Sequence, residues 1–152
     1  TGFITFGCKG LSDAQYEALV KKLMAAIRSS VSCAATPSQS LILKAASDGK
    51  LEEEKAEFRK ILERRYKLVR DFVSTHESKF IKPLPFNSGY FMSFDTMSID
   101  AEKLRQKLLN DRGIGTISID VKTLRVAFSS LDEEKINIVY QAIYDIADEL
   151  GK

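Results

Sequence analysis

The sequence predicts an α+β (α/β) fold, in which a long bridging helix leads into a small, mostly antiparallel sheet covered by helices. The apolar pattern gives one lone strand, three helices, and then the order β-α-β-β-α. The third helix is much longer than the others. Near the C-terminus, two alternating segments are separated by three residues, as in a hairpin. Together these features indicate a mixed fold rather than an all-helical one.

The chain opens with the motif TGFITFG, which predicts a strand over Phe3–Phe6 between Gly2 and Gly7. A buried strand needs neighbours on both sides, and no sequence precedes this one. We therefore expect either a trimmed start or a piece of a longer protein.

Two helices with clear start signals follow this strand. Ser12 and Gln15 have the spacing of a capping box, and apolar residues continue at helical intervals to Ile27. Thr36 followed by Pro37 predicts the second start, because proline fits the first turn of a helix.

The longest predicted element covers residues 51–78. Its apolar side chains form one stripe and its charges form the opposite face, which is typical of a solvated amphipathic helix. At 1.5 Å per residue such a helix is roughly 40 Å long, enough to connect two lobes.

The C-terminal part alternates strands and helices. GYFMSFD predicts a strand, Ser98 predicts the cap of a helix that stops at Gly113, and GTISID and LRVAFS predict a hairpin joined by VKT. Ser130 with Glu133 predicts the capping box of the last helix.

Composition excludes several function classes. The formal net charge of +2 gives no electrostatic case for nucleic acid or for an anionic membrane. No apolar run approaches the roughly 20 residues that span a bilayer. Two cysteines and a single histidine give no zinc spacing and no disulfide framework. We expect a cytoplasmic domain without metal, nucleic acid or membrane as partner.

Enzyme motifs of the common kinds do not occur in the sequence. It contains no phosphate-binding glycine loop, no HExxH and no GxSxG. His76 near the end of the long helix is predicted to be a surface histidine. Cys8 and Cys33 are predicted to be ordinary thiols, because neither has a base nearby in sequence.

Arg125 is the exception among the polar residues. In the strand LRVAFS it shares one face with Ala127 and Ser129, while Leu124 and Val126 share the other. A guanidinium among small side chains is suited to holding a carboxylate with two hydrogen bonds. The pattern alone leaves open an exposed arginine on a sheet surface.

Several motifs in the C-terminal half together resemble those of a known enzyme family. Pro85 and the following NSGYFMSF, then LLNDRGIGTISID and LRVAFSS, resemble the small domain of a fold-type I, pyridoxal-phosphate-dependent aminotransferase of the class I/II group. TGFITFG resembles the strand after the family's lysine-and-arginine motif, and RSSVSCAATPSQ resembles a segment near the dimer's shared active site. The similarity covers essentially all 152 residues in order.

The resemblance implies a role for Arg125 and an absence elsewhere. In the family, an arginine at this position binds the α-carboxylate of the substrate. The lysine that binds the cofactor would precede Thr1, together with most cofactor ligands. Lys9 lies after the strand and lacks the arginine that should follow it, so it is not expected to substitute. We expect no catalytic residue in this chain, and pyridoxal 5'-phosphate in the parent only.

The family also implies a division of the chain and a set of partners. Residues 1–50 would be the end of the large domain, 51–80 the bridging helix, and 81–152 the small C-terminal domain. The parent would serve amino acid metabolism as a homodimer acting on an amino acid and a 2-oxo acid. This chain alone would be inactive and prone to self-association. The connection before the last strand is shorter than in many members, so no amino acid is specified.

Two alternatives stay open. The chain could be a freestanding α+β binding or interaction module whose sheet resembles this lobe by fold alone. It could also be the same portion of a related lyase or decarboxylase. The strand Phe3–Phe6 distinguishes the first alternative, because a self-sufficient module should pair it within its own sheet.

Overall fold

Five α-helices and four short strands are found in the described part of the chain. The computed structural model describes Gly2 and residues 4–152. The chain divides into two compact units, Thr1–Glu54 and Lys55–Lys152. The elements are α1 (Asp13–Ser30), α2 (Thr36–Ser47), α3 (Leu51–Thr75), β1 (Lys82–Pro83), β2 (Met92–Asp95), α4 (Ala101–Arg112), β3 (Ile117–Asp120), β4 (Thr123–Val126), a 3-10 turn (Phe128–Ser130) and α5 (Glu133–Leu150).

The first unit consists mainly of α1 and α2. Gln15 closes the predicted capping box of α1, since its side chain accepts from the Ser12 backbone N–H at 2.8 Å. The Tyr16 hydroxyl accepts from the Cys8 N–H and donates to its carbonyl, both at 3.0 Å. No described residue of α1 or α2 is buried. The helices of this unit therefore form without a core of their own.

The described residues of the predicted opening strand do not form a strand. Ile4, Thr5 and Phe6 lie in irregular chain, and Phe3 lies outside the described residues. The side chain of Ile4 is 69% exposed and that of Phe6 is 43% exposed. A strand with no neighbour to accept its backbone hydrogen bonds has nothing to hold it.

The second unit contains a four-stranded antiparallel sheet in the order β1-β2-β4-β3. β3 and β4 form the predicted hairpin, with Asp120 opposite Thr123. β2 pairs with the other edge of β4, which places Ser93 opposite Arg125. The central strand β4 is thus held on both sides, and it carries the candidate residue.

One face of this sheet forms the core with the helices. Met92 and Phe94 of β2 and Leu124 and Val126 of β4 are all buried, in strict alternation with their neighbours. α5 supplies most of the opposing apolar side chains, and α3 supplies Val69 and Phe72. The α+β fold with a sheet covered by helices is confirmed. The division into residues 1–50, 51–80 and 81–152 stays a prediction.

Two predicted helix caps are wrong. α4 is capped by Asp100, not Ser98, because the Asp100 carboxylate accepts from the N–H groups of Glu102 and Lys103, each at 2.9 Å. Ser98 instead lies in the turn that precedes the cap. α5 begins after Asp132, because Ser130 belongs to the 3-10 turn that follows β4.

Candidate functional site

The candidate site lies on the sheet face opposite the core, around Arg125 in β4. The two strands that flank β4 place Ser93 and Ile117 beside Arg125. Arg125 and Ser93 are half-buried and Ile117 is 49% exposed, so this face is less covered than the core face. The guanidinium therefore lies on a partly exposed surface, and the residues beside it are small or apolar.

An aromatic ring holds the Arg125 guanidinium from one side. The guanidinium carbon lies 4.6 Å from the centre of the Phe91 ring, well inside the range in which a cation is attracted to a ring face. Phe91 immediately precedes β2 and is 46% exposed. Stacking on a flat ring leaves the N–H groups at the edge of the guanidinium directed away from it.

The Nε atom of Arg125 is shielded from solvent and has no hydrogen-bond partner among the described residues. An unsatisfied buried donor costs about 1–3 kcal/mol, and more when the group is charged. The Nε–H and one Nη–H form an edge that matches the two oxygens of a carboxylate. Because Nε is covered in this structure, the side chain must shift to present this edge, and a carboxylate bound there would then supply the acceptor that Nε lacks.

A second arginine reaches the segment that follows β4. Arg65 of α3 is half-buried, and its Nη1 donates to the carbonyl of Ser129. Its Nε atom, like that of Arg125, is buried without a partner in the described part of the chain. Ser129 in turn donates its N–H to the carbonyl of Tyr90 at 3.3 Å. These contacts join α3, the segment before β2 and the 3-10 turn after β4.

The core side of the sheet carries a separate ionic network. Arg105 holds the Glu102 carboxylate with hydrogen bonds of 2.7 and 2.6 Å, and the Ser118 hydroxyl donates to it at 2.6 Å. These contacts, first that of Arg105 and then those of Ser118 and Gln106, lower the pKa of Glu102 to about 2. The network ties α4 to β3 and supports the hairpin that contains Arg125.

Burial affects two tyrosines of α5. Tyr140 is fully buried, and burial raises its pKa. Burial also raises the pKa of Tyr144 to about 12. Both hydroxyls are therefore neutral at physiological pH and belong to the core.

The other singled-out residues lie elsewhere. His76 is half-buried rather than on the surface: its ring stacks on Phe72 at 3.8 Å, and its Nδ1 lies 2.8 Å from the Phe72 carbonyl. Cys8 and Cys33 are free and exposed. Lys9 is exposed in a turn. None of these four lies in the sheet around Arg125.

Sequence patterns alone missed Phe91 and Arg65. Phe91 is two residues before Ser93, so the register of β2 on β4 is what places it beside the guanidinium. A signal for Arg65 exists: it falls on the apolar stripe of α3, four residues after Ile61 and four before Val69. A charge at such a position must meet a polar group or remain unsatisfied.

The family model described as "Aminotransferase class I and II" matches residues 2–143. The chain belongs to this aminotransferase family. The match runs through every element from α1 into α5, including β4 and Arg125. No protein with a curated function matches the sequence with significance.

Solved aminotransferase structures share the fold. A kynurenine aminotransferase from Pyrococcus horikoshii, solved with PMP, matches 89% of this chain at 19% identity with a TM-score of 0.77. A multiple substrate aminotransferase from Thermococcus profundus matches 88% at 17% identity, TM-score 0.76. The α-aminoadipate aminotransferase LysN from Thermus thermophilus, complexed with N-(5'-phosphopyridoxyl)-L-leucine, matches 88% at 15% identity, TM-score 0.75.

The chain spans about a third of these proteins: 35% of the first two and 36% of LysN. Among the described residues, no group of histidines, cysteines and carboxylates could hold a metal ion. In the same part of the chain, no helix is long and apolar enough to cross a membrane.

Proposed function

We propose that this chain is the C-terminal part of a pyridoxal-phosphate-dependent aminotransferase, in which Arg125 binds the α-carboxylate of an amino acid or 2-oxo acid. The observation that carries the proposal is the buried, unpartnered Nε of Arg125 on a half-open sheet face. Membership of the family and the position of Arg125 in the LRVAFSS motif support it.

Arg125 contributes orientation. A carboxylate held by two parallel hydrogen bonds has a fixed direction, which fixes the bonds at the neighbouring carbon. Phe91 restrains the guanidinium before the ligand arrives, so less freedom is lost on binding. In the parent, movement of the lobe 81–152 would close the site against water.

We propose that this chain lacks the lysine that holds the cofactor. Pyridoxal phosphate supplies an electron sink when it is bound to a lysine. Lys9, the lysine closest to the expected motif, lies in an exposed turn, next to Gly10 at φ +91°. We therefore propose that the Schiff-base lysine lies outside this chain and that the chain alone does not catalyse transamination.

The ion pair between Arg125 and the substrate carboxylate, called the carboxylate clamp below, favours transamination over decarboxylation. The positive guanidinium stabilises the carboxylate, whereas decarboxylation converts that group to neutral CO₂ and loses the interaction. A firm Arg125–carboxylate pair is thus better matched to a reaction in which the carboxylate survives.

Self-association is part of the proposal. Leu41, Leu43 and Val31 of the first unit are each 69% exposed, and apolar surface of this kind favours association. The apparent mass in sedimentation experiments should rise with protein concentration. A homodimer and a cytoplasmic location are proposed for the parent.

The test is a carboxylate titration followed by NMR. Pyruvate, a simple 2-oxo acid, should shift the Arg125 Nε–H resonance and the backbone amide resonances of Ser93 and Ile117 in a saturable manner. The amide shifts give the affinity in variants that lack the arginine. Arg125→Lys should weaken pyruvate binding at least fivefold, because an ammonium cannot offer the two-donor edge. Arg112→Lys, at the exposed end of α4, is the matched control and should leave the affinity unchanged. Equal binding by wild type and Arg125→Lys would overturn the role of Arg125.

A second experiment tests the absence of the lysine. The chain is incubated with pyridoxal phosphate, reduced with borohydride, and digested for mass spectrometry. We expect no label, or a faint scatter over exposed lysines. Stoichiometric labelling of one lysine, above all Lys9, would show that a complete cofactor site exists in this chain.

A further inference from the structure

Ser129 connects three parts of the second unit through its backbone. Its carbonyl accepts a hydrogen bond from Nη1 of Arg65, which lies 64 residues earlier in α3. Its N–H donates to the carbonyl of Tyr90 at 3.3 Å. Tyr90 directly precedes Phe91, whose ring lies against Arg125. The backbone of Ser129 thus links the long helix to Tyr90, the residue that precedes Phe91.

The position of Arg65 is unusual for a charged residue with a purely structural role. It occupies a half-buried position on the apolar stripe of α3, and its Nε has no partner among the described residues. Burying part of a charged group without satisfying it opposes folding. The hydrogen bond that it does make is charge-assisted, which makes it shorter and more directional than a neutral one.

The surroundings of this contact restrict its freedom. Next to Arg65, Arg64 pairs with Glu133 at 2.9 Å, and the Tyr66 ring packs edge-on against Phe86 at 5.2 Å. Phe86 in turn meets Phe128, the residue before Ser129, at 6.2 Å. α3 therefore holds the chain that leaves β4 from several sides, and Arg65 supplies the polar contact to the backbone.

We propose that Arg65 is a positioning residue for the carboxylate clamp: through Ser129 and Tyr90 it fixes the stack of Phe91 on Arg125. The inference rests on the proposed function of Arg125 as a carboxylate ligand. When the Arg65 contact is lost, the backbone of Ser129 and the segment before β2 gain freedom, and the guanidinium no longer keeps one orientation. A two-point contact with a carboxylate is sensitive to such a change, because both hydrogen bonds need the same plane.

The experiment compares variants of the 152-residue chain by NMR. The ring of Phe91 shifts the Arg125 Nε–H resonance, and the loss of that shift in Phe91→Leu calibrates full unstacking. In Arg65→Met we expect at least half of this shift to be lost and pyruvate affinity to fall about three- to tenfold. Arg65→Lys can still donate to the carbonyl and should stay within twofold of wild type.

Arg64→Gln is the matched control, because it removes a neighbouring charge and an exposed ion pair without touching Ser129. It should preserve both the shift and the affinity. If Arg65→Met does not fold, Arg65→Gln is used in its place. The glutamine amide ends two bonds short of the arginine's Nη atoms, so it cannot replace the hydrogen bond to Ser129. An unchanged Arg125 shift in folded Arg65→Met or Arg65→Gln overturns the inference.

The two proposals fail separately. If wild type shows no saturable response to pyruvate, the carboxylate clamp is wrong. The stacking shift needs no ligand, so it still decides whether Arg65 positions Arg125.

Discussion

The two units of the chain have equally regular helices but different packing. In the second unit, 19 apolar residues are buried, and 17 of them join strands to helices in one cluster. Phe94, Leu124 and Tyr140 in this cluster have no exposed surface. In the first unit, α1 and α2 contain no buried residue. Local sequence signals are sufficient to define a helix, whereas stability depends on apolar surface removed from water. The candidate site lies in the unit that has a core.

The largest expected contrast is between core truncations in the two units. Phe94→Ala should lower the free energy of unfolding by about 3–5 kcal/mol, because it removes a buried ring between Tyr140 and Tyr144. Val20→Ala in α1 should change it by less than about 0.5 kcal/mol, because Val20 is 48% exposed. Urea unfolding followed by circular dichroism measures both. Equal losses would contradict the contrast.

A smaller contrast concerns helix caps. Asp100→Ala should cost about 0.5–2 kcal/mol, since it leaves the N–H groups of Glu102 and Lys103 without their acceptor. Asp100→Asn keeps an oxygen in place and should recover most of the loss. Ser12→Ala, at the cap of α1, should not move the main unfolding transition. A large shift with Ser12→Ala would show that α1 unfolds together with the core.

The smallest expected effect is a pH dependence in the second unit. Because contacts lower the pKa of Glu102 to about 2 from 4.5, its contribution to stability is complete above about pH 4.5 and is lost as pH falls towards 2. Glu102→Gln should therefore reduce the decline of the urea midpoint between pH 5 and 3. Glu17→Gln in the first unit, an exposed partner of Lys21, is the control and should leave the decline unchanged. An identical acid limb in Glu102→Gln and wild type would contradict this assignment.

Sequence patterns predicted the elements better than their partners. The hairpin around Val121 and Lys122, the stop at Gly113 and the capping box of Ser12 all depend on residues close in sequence, and all are confirmed. The cap at Ser98 was wrong because Asp100 accepts the free N–H groups instead, and the cap at Ser130 was wrong because a 3-10 turn takes up that residue and moves the helix start to Asp132.

In the candidate site, too, sequence patterns predicted local structure but not long-range contacts. The alternation of β4 correctly separated Arg125 from the buried Leu124 and Val126. The stack on Phe91 depends on how β2 pairs with β4, and the bond from Arg65 spans 64 residues. Contacts of that kind arise from tertiary packing, so periodicity in a single strand or helix does not reveal them.

The most direct test of the role of Arg125 is a crystal structure of the chain with a bound 2-oxo acid such as pyruvate. We expect both carboxylate oxygens at hydrogen-bonding distance, about 2.8 Å, from Nε and one Nη of Arg125, with the Phe91 ring still stacked on the guanidinium. A ligand bound elsewhere, or an Arg125 side chain directed away from it, would contradict the central claim.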